Sequence, residues 1–248
     1  MPTPTTVELL WGIQPRPKRG PKPALSLEGI VAEAIALADS DGLSNLSMQR
    51  LAERLGFTKM SLYRYVPGKA ELIALMLDTA LGMPPERTVT GSAALEAGWR
   101  GQLALWCETL YERFRAHPWS LEVSVGVRPI GPAEMAWMEC ALDALAETGL
   151  TTAERLDTIV LLTGHARSLV QQVRGAGAEA FEQQIAEQFA AMVTVAAERY
   201  PAAAAAFAEE GAVVGGEGAL RFGIGRILDG LAVLIASRAR TPRPTLGP

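Results

Sequence analysis

Apolar residues recur along this chain at spacings of three and four, the period of an amphipathic helix. Ile30, Val31, Ala34, Ile35, Leu37 and Ala38 form one such face, predicting a helix over 27–40 with Ser26 as its N-cap and Asp41-Gly42 as its stop. Met48, Leu51, Ala52 and Leu55 form the next, capped by Ser47 and ended by Gly56 in a left-handed conformation. A third helix is predicted from Thr58 to Val66. Leu62 and Val66 stand four apart and share its inner face, and Pro67 disfavours helix at the residue before it. A fourth begins at Lys69, runs to about Leu81 and is broken by Met83-Pro84-Pro85.

Beyond a joint over 84–92, the same period predicts a helix over 94–115, ending before His117-Pro118-Trp119. A short piece leads to Arg128-Pro129. Further helices are expected over 133–147, 151–173, 178–198, 202–209 and 219–238. Thr151 with Glu154 has the capping-box pattern that starts the second of these, and Gly175 and Gly177 break that helix. The final helix carries Leu220, Ile224, Ile227, Leu228, Leu231, Leu234 and Ile235, too many apolar groups for one surface helix. Its Arg221, Arg226 and Asp229 make it a poor membrane span and a good buried helix. The expected fold is all-α, in three parts. Residues 1–25 form a basic flexible arm, 26–83 a three-helix helix-turn-helix domain, and 84–248 a larger helical domain. Leu9, Leu10 and Trp11 are apolar, and nothing in the sequence says where they dock.

Composition supports the helical reading: 49% of residues are apolar and β-branched runs are rare. The net charge of −4 hides an asymmetry. Residues 1–70 hold nine Lys/Arg against six Asp/Glu, and the remainder fourteen against twenty-one. All four lysines lie at or before Lys69. A basic head on an acidic body points the head at phosphates. Cys107 and Cys140 fit a reducing compartment and offer neither a disulfide framework nor metal spacing. Met1 to Thr6 lacks the features of a signal peptide, so the cytoplasm is expected. Enzyme chemistry finds little support. The two histidines stand 48 residues apart, there is no Gly-x-Ser-x-Gly elbow, and Gly215-Gly216-Glu217-Gly218 lacks a preceding strand.

The stretch 47–69 has the shape of helix-turn-helix DNA readers, in which the second helix enters the major groove. With Leu62 and Val66 inward, Lys59, Ser61, Tyr63, Arg64 and Tyr65 are available to DNA. They supply a guanine-reading cation, a small hydroxyl, and phenols for phosphate or a thymine methyl. Lys69 stands at the amino end of its helix, where backbone N–H groups add to its charge, and Ser47 is placed the same way. Arg16, Lys18, Arg19 and Lys22 could follow the backbone or enter a minor groove. A plain helical hairpin with a polar outer face, or a helical adaptor without DNA binding, is the alternative on geometry alone.

Three runs carry a family resemblance: Ile30 to Gly42, Ser47-Met48-Gln49-Arg50-Leu51-Ala52-Glu53-Arg54-Leu55-Gly56, and Met60-Ser61-Leu62-Tyr63-Arg64-Tyr65-Val66-Pro67-Gly68-Lys69-Ala70-Glu71-Leu72. Through them, residues 27–81 closely resemble the DNA-binding domain of the TetR family of bacterial repressors. The resemblance implies a homodimer on a palindromic double-stranded operator. Gln49, Lys59, Ser61 and Tyr65 would face bases. Ser47, Arg50, Tyr63 and Lys69 would face phosphates. Thr58, Arg19 and Lys22 complete the DNA-facing set.

Residues 95–238 resemble, more loosely, the tetracycline-repressor-like effector domain. The signposts are Arg128-Pro129, Gly164-His165 and the glycine-punctuated Phe222-Gly223-Ile224 to Leu231 run. The resemblance implies a four-helix dimer bundle built on the eighth and last helices, with Leu220, Ile224, Ile227, Leu228, Leu231 and Leu234 at the interface. Trp99, Leu103, Trp106 and Cys107 recur along one helix. Trp119, Met135, Trp137, Met138 and His165 lie on elements that pack near it in this family. Such a cluster suits a small apolar or aromatic effector, with ordinary core as the alternative. The metal-binding positions of tetracycline repressors fall near Ser124 and Val173, neither a strong ligand. No metal and no cofactor is expected. The implied function is ligand-responsive transcriptional regulation, with the effector favouring a dimer whose helix at 69–81 has swung.

Overall fold

The computed structural model describes residues 4–13, 25–85, 98–172, 197–210 and 217–240. These hold eleven α-helices and no strand. They are α1 (Thr6–Leu10), α2 (Leu27–Asp41), α3 (Met48–Leu55), α4 (Lys59–Tyr63), α5 (Lys69–Leu81), α6 (Gly98–Ala116), α7 (Ser120–Val123), α8 (Pro132–Ala144), α9 (Thr152–Gln172), α10 (Pro201–Glu210) and α11 (Glu217–Arg240). The chain divides into two compact units, Met1–Ile159 and Val160–Pro248.

In the first unit α5 is the hub, packing against α1, α2, α6, α7 and α8. Its inner residues Leu72 and Met76 join Ile30, Leu37, Leu46, Leu51, Leu62 and Val66 in one fully buried core. Hydrophobic area removed from water is the main stabilising term here. Helix α5 also packs against α6, α7 and α8, on the far side of the joint expected over 84–92. Residues 86–97, which include most of that joint and the start of the helix predicted at 94, lie outside the described residues.

The arm begins later than position 1. Thr6–Leu10 is a helix, closed by a reciprocal capping box between Thr5 and Glu8. It packs on α5 with Leu9 and Leu10 buried, and the Trp11 indole N–H donates to the Ile130 carbonyl at 3.1 Å. Five residues cannot sustain a helix alone, so tertiary burial of two leucines decides it. The helix predicted over 58–66 is also shorter than expected. Arg64 and Tyr65 form a turn after Tyr63, since the proline at 67 keeps Val66 out of the helical region. The capping box at Thr151 forms as expected, with Thr151 N–H donating to Glu154 at 2.8 Å and Glu154 N–H to Thr151 Oγ1 at 3.3 Å.

In the second unit Leu162, Ala166, Leu169 and Val170 of α9 are buried, as are Leu220, Ile224, Leu228 and Leu231 of α11. These four α11 residues are expected from the resemblance at a dimer interface. They instead face the chain's own interior, while Ile227 and Leu234 are half-buried. A helix with apolar residues nearly all round has two faces to satisfy, and the heavier one turns inward. The outward face of α11 carries Phe222 and Val233, 71% and 72% exposed, and α9 exposes Val160 and Leu161. The helix predicted over 178–198, the breaks at Gly175 and Gly177, and the loop at 211–216 lie outside the described residues.

Candidate nucleic-acid interface and effector domain

The turn between α3 and α4 rests on Gly56, whose φ of +73° is the left-handed conformation a side chain would resist. Thr58 then caps α4: its Oγ1 accepts from the Ser61 N–H at 3.3 Å and lies 2.9 Å from Ser61 Oγ. Leu62 and Val66 are fully buried, so the opposite side of α4 is presented outward. There Lys59 is exposed, with Nζ 5.6 Å from the centre of the Tyr63 ring. Tyr63 and Tyr65 pack at the edge of the core and stay half-exposed. Lys69 is exposed at the first position of α5, whose N-cap, Gly68, provides no side-chain acceptor. The first N–H groups of α5 are thus left for an external acceptor beside a lysine, the arrangement that suits phosphate.

Two residues of this face depart from expectation. The Arg50 guanidinium is ion-paired to Asp41 at the end of α2 and braces α3 there rather than standing free for phosphate. The brace is doubled by Arg54, whose Nε donates to Glu33 Oε1 at 2.5 Å. Gln49 donates to Glu53 at 2.7 Å, and Ser47 caps α3 through the Arg50 N–H. Met60 is absent from the expected DNA-facing set because a methionine in a helix usually reads as core, yet it is 72% exposed beside Lys59. The signal is its offset of two from Leu62, which puts the two on different sides of the helix. Arg19 and Lys22 lie outside the described residues.

Of the predicted effector residues, Leu103, Trp106 and Trp137 are buried in the α6–α8 region. The two indoles meet edge to face, centroids 5.5 Å apart, and Trp106 Nε1 donates to the Trp137 carbonyl at 2.9 Å. Trp137 Nε1 donates to the Gly82 carbonyl at 2.8 Å, tying α8 to the end of α5. Trp99 and Met138 are half-buried, and Met135 is 40% exposed. Burial, with Glu108 adding to it, pushes the Cys107 thiol up to about 12, which favours the neutral thiol.

Two predicted effector residues belong elsewhere. Trp119 sits in the core shared by α1–α5, its Nε1 donating to Asp39 at 2.6 Å. His165 is held within the second unit. Its Nε2 lies 3.1 Å from the Leu220 carbonyl, which can only accept, so the ring donates there. Its ring lies close against Gly223, where a Cβ would lie 2.2 Å from the imidazole. The half-buried histidine thus has a hydrogen-bond partner within the fold, and its position accounts for one glycine of the α11 run.

The α5–α8 junction holds a carboxylate that sequence reasoning missed. Asp78 Oδ1 accepts from the N–H groups of Ala133 and Glu134 at 3.0 and 3.3 Å, capping α8 from outside. Desolvation raises its pKa against the lowering pull of those two bonds. Such a carboxyl favours the fold below its ordinary pKa, and the advantage is lost as pH rises through the raised value. A Cβ on Gly131 would lie 2.0 Å from Asp78 Oδ1, so the glycine is there for close approach. Arg128 forms a two-pronged pair with Glu134 at 2.7 and 2.6 Å, which orders the Arg128-Pro129 turn. Ser124 Oγ donates to the Leu121 carbonyl at 3.5 Å, and Val173 lies outside the described residues. Among the described residues no cluster of His, Cys, Asp and Glu could hold a metal, and no helix is long and apolar enough to cross a membrane.

Known proteins supply the context for this geometry. The family model of bacterial regulatory proteins of the tetR family matches residues 30–76, and that of the tetracyclin repressor-like C-terminal domain matches 93–235. The HTH-type transcriptional repressor DrrR1 of Streptomyces coeruleorubidus is 37% identical over 254 residues, covering 96% of this chain and 89% of that protein. The tetracycline repressor protein class E of Escherichia coli is 26% identical over 53% of this chain and 61% of its own length. Among solved structures, ActR of Streptomyces coelicolor in complex with actinorhodin superposes with a TM-score of 0.65 at 27% identity, covering 85% of this chain and 98% of that one. The first model spans the capped α3–α4 pair, and the second the region that holds the Trp106–Trp137 pair. The chain belongs to the tetR family of bacterial regulatory proteins and is a DNA-binding transcriptional regulator.

Proposed function

We propose that two copies of this chain hold a palindromic operator and repress transcription until a small apolar or aromatic effector releases them. The observation that carries the DNA half is the outward face of α4: Lys59, Ser61 and Tyr63 over a buried Leu62, with Lys69 at an uncapped helix start. Two α4 helices in successive major grooves require centres about 34 Å apart. The pairing surface is the exposed apolar face of the second unit, Val160 and Leu161 on α9 and Phe222 and Val233 on α11. Stable dimers commonly bury about 2,000 Å² or more of such surface. The Trp106–Trp137 pair supports an aromatic effector lodged among α6–α8. ActR, solved with actinorhodin, supports the same class. Any effector must bind the DNA-incompetent state better, or it shifts nothing. With DNA as the partner, the work belongs in the bacterial cytoplasm.

Gel-shift titration on the DNA upstream of the chain's own reading frame tests the reading. Sequence-specific binding in excess competitor is the expected result, and its absence overturns the proposal. Lys59→Ala should cost about 1–3 kcal/mol at its base position and relax specificity. Lys69→Ala should weaken all duplexes evenly and reduce the salt slope by about 1. Identical behaviour of the two variants would overturn the division of roles.

A further inference from the structure

The corner between α6 and α7 belongs to the DNA-reading head. Trp119, 2% exposed, shares the core of α1–α5, and Val123 of α7 packs against it. Both donors of this corner converge on one carboxylate. Trp119 Nε1 lies 2.6 Å from Asp39 Oδ1. His117 Nδ1 lies 2.9 Å from the same oxygen and 3.1 Å from Oδ2. The two rings stand together, centroids 6.1 Å apart. A carboxylate only accepts, so Nδ1 carries the proton and both rings donate. Charge-assisted bonds of this length are the stronger kind.

Asp39 lies in the last turn of α2, two residues before Asp41, which braces α3 through Arg50. The chain of contacts runs from the α6–α7 corner to Asp39, along α2, through Asp41–Arg50 and Glu33–Arg54, to α3 and so to α4. It does not pass through α5. From this geometry we propose that Asp39 is a positioning residue for DNA recognition. By gripping His117 and Trp119 it sets the pitch of the α2–α4 unit on α6, and thereby the half-site separation that a pair of recognition helices accepts. The proposal rests on the reading of two copies on one palindromic operator.

The test uses the full chain. An operator is selected from random-sequence duplexes with the unmodified protein. Affinity is then measured for it and for versions whose half-sites are moved together or apart by one base pair. Asp39→Ala removes the acceptor to which both rings donate. The preference for the selected spacing should fall about three- to tenfold, because the head is no longer held at one pitch. His117→Ala removes one donor from a partly exposed side chain without emptying the core, and should act in the same direction by less. A merely structural role weakens every duplex alike and leaves the ratio unchanged. An unchanged ratio in both variants, each with a cooperative thermal transition, overturns the role of Asp39 and leaves the DNA reading standing. Failure of the unmodified protein to select any sequence overturns both.

Discussion

Helices α4 and α11 both expose one face, and the two faces differ in kind. The α4 helix has five residues, is started by a threonine cap and stopped by the turn before Pro67, and shows solvent Lys59, Met60 and, in part, Ser61 and Tyr63. The α11 helix has 24 residues and shows solvent Phe222, Gly230 and Val233. The short helix is held by what it buries, Leu62 with Val66 just beyond it, so its surface is left for chemistry with a polar partner. The long helix has already buried Leu220, Ile224, Leu228 and Leu231 and still has large apolar side chains left over. Apolar surface rimmed by charge, such as Arg226 and Asp229 paired at 2.6 Å, marks contact with another apolar surface. One face suits phosphates and base edges, the other a second protein surface.

The largest effect should come from Val233→Glu. A charge at the centre of the α11 outer face leaves the monomer fold intact but places an unpaired charge in each half of the pairing surface. Unpaired buried charges cost about 3–5 kcal/mol, so operator affinity should fall by more than about 100-fold while helix content is kept. Sedimentation and gel shift together check this; a monomer with undiminished operator binding would break the contrast between the two helices. Gly223→Ala should cost about 1–3 kcal/mol, since its methyl drives the His165 ring from the Leu220 carbonyl. Denaturant unfolding reads that loss, and an unchanged midpoint would mean the glycine is incidental. The smallest effect belongs to α4. Thr58→Ala removes its cap at about 1 kcal/mol, and operator affinity should drop with it because so short a helix has no other local support. Loss of stability without loss of affinity would show that the DNA reorders α4 on binding.

How much of the site is legible in the sequence depends on the range of the signals. The α3–α4 turn is readable because caps, the glycine stop and the proline act within a few residues. Leu62 and Val66 as the inner pair, and Lys59 outward, come from that local geometry, whereas the tyrosines, also expected outward, pack at the edge of the core. Arg50 is not legible, since its partner Asp41 lies on another helix and an arginine in this run reads equally as a phosphate contact. Trp119 and His165 mislead for the same reason. An aromatic or imidazole side chain announces that it will be used, but the partners that use it, Asp39 and the Leu220 carbonyl with Gly223, are distant in sequence. The helix at Thr6–Leu10 escapes notice because five residues carry too little period to read.

By itself the sequence determined the helical class, the position of the recognition helix and the basic character of its end of the chain. These rest on local propensity, capping and charge, which need no neighbour to be expressed. Only the tertiary structure decided which leucines of α11 face inward, that Arg50 is bound to Asp41, and that Asp39 and Asp78 grip the α6–α7 corner and the start of α8. Those outcomes depend on which surfaces meet across long sequence separations, where burial and hydrogen-bond satisfaction override local preference.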